Sequence, residues 1–151
     1  LQPYARTHRH AVVIVDAEWE GSPGNDAISQ RLNEHLANAG WLDNNGCAVV
    51  IAPELENWVW QDSPHVCTAL GFDDAFAVLR AKLEDKGFWQ PNEVKPGRPK
   101  EAVEWALRQS KKGRSSAIYQ QLATRVTARG CTDQAFHALR NALLRWFPPA
   151  A

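Results

Sequence analysis

HAVVIVDAEWEGSPG, residues His10 to Gly24, is the stretch on which the reading of this chain turns. The apolar run Ala11-Val12-Val13-Ile14-Val15 stops abruptly at Asp16. A continuous β-branched run of this length predicts a strand buried on both faces. Glu18 and Glu20 follow at alternate positions, and Gly21-Ser22-Pro23-Gly24 then breaks the chain. Acidic groups at the C-terminal end of such a strand stand where open α/β sheets hold ligands. A second run, Cys47 to Pro53, also leads into carboxylates, Glu54 and Glu56. Two strand ends tipped with acid predict one acidic pocket.

The segment between the two runs has helical spacing. Asn25 or Asp26 can cap a helix to about Asn38, with Ile28, Leu32 and Leu36 on one face and Gly40 as its stop. Trp41 and Leu42 are expected to pack beneath the turn Asp43-Asn44-Asn45-Gly46. Strand, helix and strand in this order make a βαβ unit and hence a parallel sheet. Beyond it the spacing turns helical. Pro53, in the first helical position, opens a short segment ELENWVWQ, and residues 65–71 form a turn or a short helix. Phe72, Phe76, Leu79 and Leu83 stripe a helix over 72–86. Residues 88–98 are a loop, and Pro99 starts a helix with Val103, Ala106 and Leu107 inward. Ser115 or Ser116 caps a helix to about Arg129 bearing Ile118, Leu122 and Val126. Thr132 or Asp133 caps the last, with Phe136, Leu139, Leu143 and Phe147 on its buried face. The expected fold is α/β: a small Rossmann-like parallel sheet in the N-terminal half followed by a helical C-terminal half. It reads as one domain, with 1–62 the α/β core and 63–151 a helical extension.

The length of 151 residues suits a single domain with a substantial core. No apolar run approaches the roughly 20 residues of a membrane span, and no signal peptide is visible. The chain starts at Leu1 and contains no Met, so an upstream segment is expected. Three widely spaced cysteines, Cys47, Cys67 and Cys131, argue against a disulfide framework or a zinc ribbon, and point to a reducing, cytoplasmic setting. Net charge is zero but uneven. Residues 1–79 carry three basic and eleven acidic side chains, and residues 80–151 carry fourteen and six. Attraction between the halves and a basic binding surface both account for this pattern.

Chemistry is sought first among Asp16, Glu18, Glu20, Glu54 and Glu56. Mg²⁺ takes oxygen ligands, commonly one or two carboxylates with waters and phosphate, and carboxylate-held metal suits phosphodiester cleavage. In an extended loop Asp16, Glu18 and Glu20 would point the same way. In a helix Glu54 and Glu56 diverge by roughly 200°, so one alone need face the pocket. The competing account has Glu54 offsetting a helix dipole and the rest solvated. Among the basic residues, Lys95, Arg98, Lys100, Lys111, Lys112 and Arg114 precede or flank helix starts and are candidates for phosphate contacts, with Trp89 and Trp105 able to stack on bases. The arginines from 125 to 145 read as ordinary helix surface. Trp58 and Trp60 alternate, which places one in the core and the other by the pocket. Trp19, between two carboxylates, is expected to be exposed as a contact residue. His10, His65 and His137 offer no ligand spacing.

The order of apolar strand, acidic loop, helix, apolar strand and Pro-Glu-x-Glu-x-Trp resembles the TOPRIM-like proteins of bacterial defence and mobile-element loci. The matching residues are Asp16-Ala17-Glu18 and Pro53-Glu54-Leu55-Glu56-Asn57-Trp58. The tail is similar as well: Pro99-Lys100 opening a helix, Ser115 to Tyr119, and a final helix after Phe136. The resemblance covers most of the chain, on short motifs. It implies a TOPRIM-like fold and a Mg²⁺-dependent nuclease related to OLD-type nucleases, or a subunit of a methylation-associated anti-phage defence system. Asp16, Glu18 and Glu56 would be the catalytic metal ligands, and Lys100, Lys111, Lys112 and Arg114 would hold nucleic acid. The family pattern begins with an earlier strand ending in a catalytic glutamate, which residues 1–9 do not contain, and Glu18 stands where aspartate is usual. Either that strand is missing here or the site is degenerate. Two functions follow: a metal-dependent nuclease or nuclease-like subunit, and a non-catalytic module that docks a partner protein or nucleic acid. Neither needs a membrane.

Overall fold

Both apolar runs are strands. β1 (Ala11–Asp16) and β2 (Gly46–Ile51) run parallel, in register from Ala11 opposite Gly46 to Asp16 opposite Ile51. The crossover is α1 (Asn25–Asn38). Helices α2 (Pro64–Leu70), α3 (Phe76–Asp85), α4 (Pro99–Gln109), α5 (Ser116–Arg125) and α6 (Gln134–Trp146) follow. The computed structural model describes residues 1–42, 44–127 and 130–149, and among these the chain is mixed α/β, with six α-helices and a two-stranded parallel sheet in its N-terminal half. Asp43 of the expected turn and Arg129, the expected end of α5, lie outside the described residues.

The contacts divide the chain into two units, Leu1–Ala52 with Thr132–Ala151, and Pro53–Cys131. The break therefore falls at 52/53 rather than near 62, and α6 leaves the helical extension to pack on β2 in the first unit.

In the first unit, α1 lays Ile28 and Leu32 against Val15, Ala17 and Val50. Its end is a Schellman turn. Gly40, at φ +91°, sends its N–H to Ala37 O, and Trp41 N donates to Leu36 O at 2.9 Å. Trp41 and Leu36 are both buried, whereas Leu42 is exposed instead of packed beneath the turn. Asp133 caps α6, its carboxylate accepting from Phe136 N at 2.9 Å. At the other end Trp146 donates from its indole to Asn44 O at 2.7 Å and stacks on His10 at 4.6 Å between centroids. The expected apolar face of α6 is shifted: Ala142 is the buried residue, and Leu143 and Phe147 are exposed. β1 also departs from expectation. No residue in it is fully buried and Ile14 is 47% exposed, because among the described residues β1 pairs on one side only. Val49, Val50 and Ile51 of β2 are buried.

The second unit has its own core, centred on Trp60, Leu70, Leu79, Leu83, Trp89 and Ala106. The buried indoles are hydrogen-bonded, Trp60 to Pro99 O at 3.1 Å and Trp89 to Glu93 O at 2.9 Å, and they meet edge-on at 5.8 Å. Pro53 does not open a helix. Glu54 is extended, and a 3₁₀ turn covers Leu55–Trp58. Ser63 caps α2 through His65 N, with Pro64 in its first turn. α2 ends on Gly71 at φ +88°, where an added Cβ would lie 2.7 Å from the Ser110 Cβ. Phe72 N closes this turn onto Cys67 O, so Phe72 belongs to the end of α2 and α3 begins only at Phe76. α5 stops at Arg125, and Val126 has extended backbone.

Candidate functional site

Asp16 closes β1 and is exposed. Ala17 N continues the ladder to Ile51 O at 2.8 Å, so Ala17 turns inward and Glu18 outward. The loop then bends. Ser22 N donates to Trp19 O at 3.0 Å, Ser22 Oγ to Ala17 O at 2.5 Å, and Gly24 N to Ser22 Oγ at 3.2 Å. The alternation therefore ends at Glu18, and Glu20 does not continue an extended row. Glu18, Trp19 and Glu20 are all exposed, Trp19 by 51%.

Glu54 and Glu56, both in the second unit, diverge and are engaged separately. Glu54 Oε1 accepts from Lys100 N at 2.8 Å, at the N-terminus of α4, where a carboxylate satisfies a free amide and the helix dipole. Burial raises the Glu54 pKa against that hydrogen bond. It thus acts on α4, not on a helix starting at Pro53. Glu56 is 3% exposed. Its Oε1 accepts from Arg114 Nη2 at 2.5 Å and from the Tyr119 hydroxyl at 2.9 Å. Arg114 Nη1 also lies 3.6 Å from Glu104, and its guanidinium sits 5.7 Å from the centre of the Tyr119 ring. Burial, together with the hydrogen bond to the Glu56 carboxylate, pushes the Tyr119 pKa up to about 12. An ionised carboxylate is tolerated in such a setting only when it is paired and hydrogen-bonded, and these two partners meet that condition.

The basic residues are distributed in the same way. Lys112 Nζ donates to Thr68 O and Ala69 O, both at 3.2 Å, and covers the last carbonyls of α2. Lys95 Nζ donates to Asn57 O at 3.0 Å and to Trp60 O, at the end of the 3₁₀ turn. The Arg98 guanidinium lies 5.0 Å from the centre of the Phe88 ring. Lys100 and Lys111 are exposed. Of the two indoles expected to stack on bases, Trp89 is buried in the core and cannot, while Trp105 packs partly against Phe88. Trp60 is the core member of its pair and Trp58 is half-buried.

Asp16 and Glu18 thus share the end of one strand in the first unit, and Glu56, Lys100, Lys111, Lys112 and Arg114 belong to the second. Among the described residues no group of three or more His, Cys, Asp or Glu side chains is gathered as for a metal ion. Asp16 and Glu18 have the chemistry of a Mg²⁺ site with waters and phosphate. Glu56 belongs to the second unit, and its Oε1 accepts from a cation and a phenol. The partners of Glu56 are not legible in the sequence: Arg114 reads there as a phosphate contact, and Arg114 and Tyr119 lie 58 and 63 residues away. No protein-family model matches the chain, and no curated protein or solved structure is significantly similar to it.

Proposed function

We propose that this chain is a TOPRIM-like binding module of a multi-subunit bacterial anti-phage system, one that docks a partner protein rather than cutting nucleic acid. The observation that supports it is the state of Glu56, the residue the resemblance would make a metal ligand: it is buried and held by Arg114 and Tyr119. The parallel β1–α1–β2 unit is compatible with a small Rossmann-like sheet of the TOPRIM type. A protein partner is favoured over nucleic acid because Lys112 and Arg114 serve internal contacts, leaving Lys100 and Lys111 of the phosphate-binding set. The exposed Glu18-Trp19-Glu20 tip suits a basic segment, with an aromatic anchor between two charges. Three free cysteines support a reducing, cytoplasmic setting.

A second reading, the Mg²⁺-dependent nuclease, is favoured by the exposed Asp16 and Glu18 at the C-terminal end of a parallel strand. One assay separates the two. Plasmid, single-stranded DNA and RNA are incubated with the protein in Mg²⁺, Mn²⁺ or EDTA, and again with Asp16→Ala. The binding module gives no metal-dependent cleavage. Cleavage that requires metal and disappears in Asp16→Ala would replace it with the nuclease. In parallel, a fluorescent oligo-arginine peptide should bind in a salt-sensitive way and lose affinity to Trp19→Ala and to Glu18→Gln with Glu20→Gln.

A further inference from the structure

β1 has the sequence of an interior strand and the position of an edge. Among the described residues it pairs with β2 alone, in a sheet of two strands. Ala11 N and Ala17 N reach toward β2, to Asn45 O and Ile51 O. Backbone groups alternate sides along a strand, so those of Val12 and Ile14 face the open edge. Natural edges are guarded by lysine, proline, a bulge or an inward charge. Residues 11–15 contain none of these: four are β-branched, and Ile14 is 47% exposed.

The two ends of this strand differ in sign. Arg6, His8, Arg9 and His10 precede it, and Asp16, Glu18 and Glu20 follow it. A second copy laid parallel along the edge would set like charge against like. Laid antiparallel, it sets the basic end of each strand across from the acidic end of the other. The backbone fixes the register as well. With Val13 on a twofold axis, Val12 of one copy opposes Ile14 of the second, and both residues have the outward-facing groups that an antiparallel hydrogen-bonded pair exchanges. The same register places His10 opposite Asp16 of the second copy.

We propose that the open edge of β1 is a self-association surface, on which a second copy of this chain adds its own β1 antiparallel, centred on Val13, to make a continuous four-stranded sheet. The contact is isologous, as a closed dimer requires. Strand addition supplies main-chain bonds, the Val12 and Ile14 side chains form the cross-strand pair, and the terminal charges select the direction. The contact shares the acidic loop with the docking role but does not rest on it, and Ile14→Lys, outside that loop, separates the two.

Sedimentation of the full chain over about 1 to 100 µM tests it. The expected result is reversible association to twice the 16.9 kDa mass, with the Val12 and Ile14 amides protected from hydrogen exchange. Ile14→Lys, an edge guard at an exposed position, should weaken association by roughly tenfold or more with unchanged circular dichroism, and release both amides. Glu18→Arg with Glu20→Arg should weaken it too, as should Arg6→Glu with Arg9→Glu, and mixing these two proteins should give a heterodimer. A chain that stays monomeric across the range overturns the proposal. So does a dimer indifferent to Ile14→Lys, or one whose paired charge variants fail to combine.

Discussion

Among the described residues, a carboxylate that is 3% exposed makes the greatest demand on its surroundings. Stripping water from Glu56 is costly, and Arg114 and Tyr119 offset that cost at one oxygen. Removing one partner of a fully buried pair costs about 3–5 kcal/mol, but nearly half of the Arg114 side chain is exposed, so solvent screens this one. Glu56→Gln is therefore expected to cost roughly 1–3 kcal/mol in urea unfolding. Tyr119→Phe removes one hydrogen bond to a charged group and should cost about 1–2 kcal/mol. Tyr119 also predicts a pH dependence. Its pKa in the folded chain is about 12, against about 10 for an unperturbed phenol. The raised value favours the protonated form on folding, so this contribution is complete below pH 10. It is lost as pH rises from about 10 through about 12, because the unfolded chain gives up the proton first. Because the phenol is only partly buried, solvent screening reduces the loss to on the order of 1–2 kcal/mol. Unfolding midpoints measured across that window should fall more steeply for the native sequence than for Tyr119→Phe.

At the scale of elements, charged and polar side chains finish what the helices leave open. Lys112 covers carbonyls at the end of α2, Glu54 an amide at the start of α4, and Asp133 an amide at the start of α6. Asp133→Ala should cost about 1 kcal/mol and Lys112→Ala about 0.3–1 kcal/mol, both read by denaturant unfolding. Under the docking proposal Lys112→Ala leaves partner affinity unchanged. The end of α2 tolerates no side chain. At Gly71 a Cβ meets both a positive φ and the Ser110 side chain, so Gly71→Ala should destabilise by more than about 1 kcal/mol. One of these caps, Lys112, comes from the basic set that the sequence also offers for phosphate contacts. A lysine reaching a carbonyl of its own fold and a lysine reaching a phosphate look alike in sequence, since the distinction depends on which carbonyls lie within about 3 Å.

At the scale of the molecule, the first unit is built from both ends of the chain, with α6 packed on β2 and Trp146 bonded to Asn44 and stacked on His10. Ending the chain at Cys131 should therefore destabilise the sheet, by an amount on the order of several kcal/mol, and speed protease cleavage within residues 1–52. The two strands, the crossover helix, its stop at Gly40 and the helical character of the rest were all legible in the sequence. Each follows from local rules: β-branched runs extend, apolar residues at a period near 3.6 coil, and glycine takes the left-handed turn. The exposure of Trp19 was legible for the same reason, as a large side chain between two carboxylates in a loop. The tertiary structure alone decided that α6 returns to β2, that β1 is an edge, and that Glu56 answers to Arg114 and Tyr119. Those outcomes join residues some 60 to 100 positions apart. Local propensity and periodicity carry no information at that range. Partners at such distances are chosen by desolvation and packing, which act only after the elements have formed.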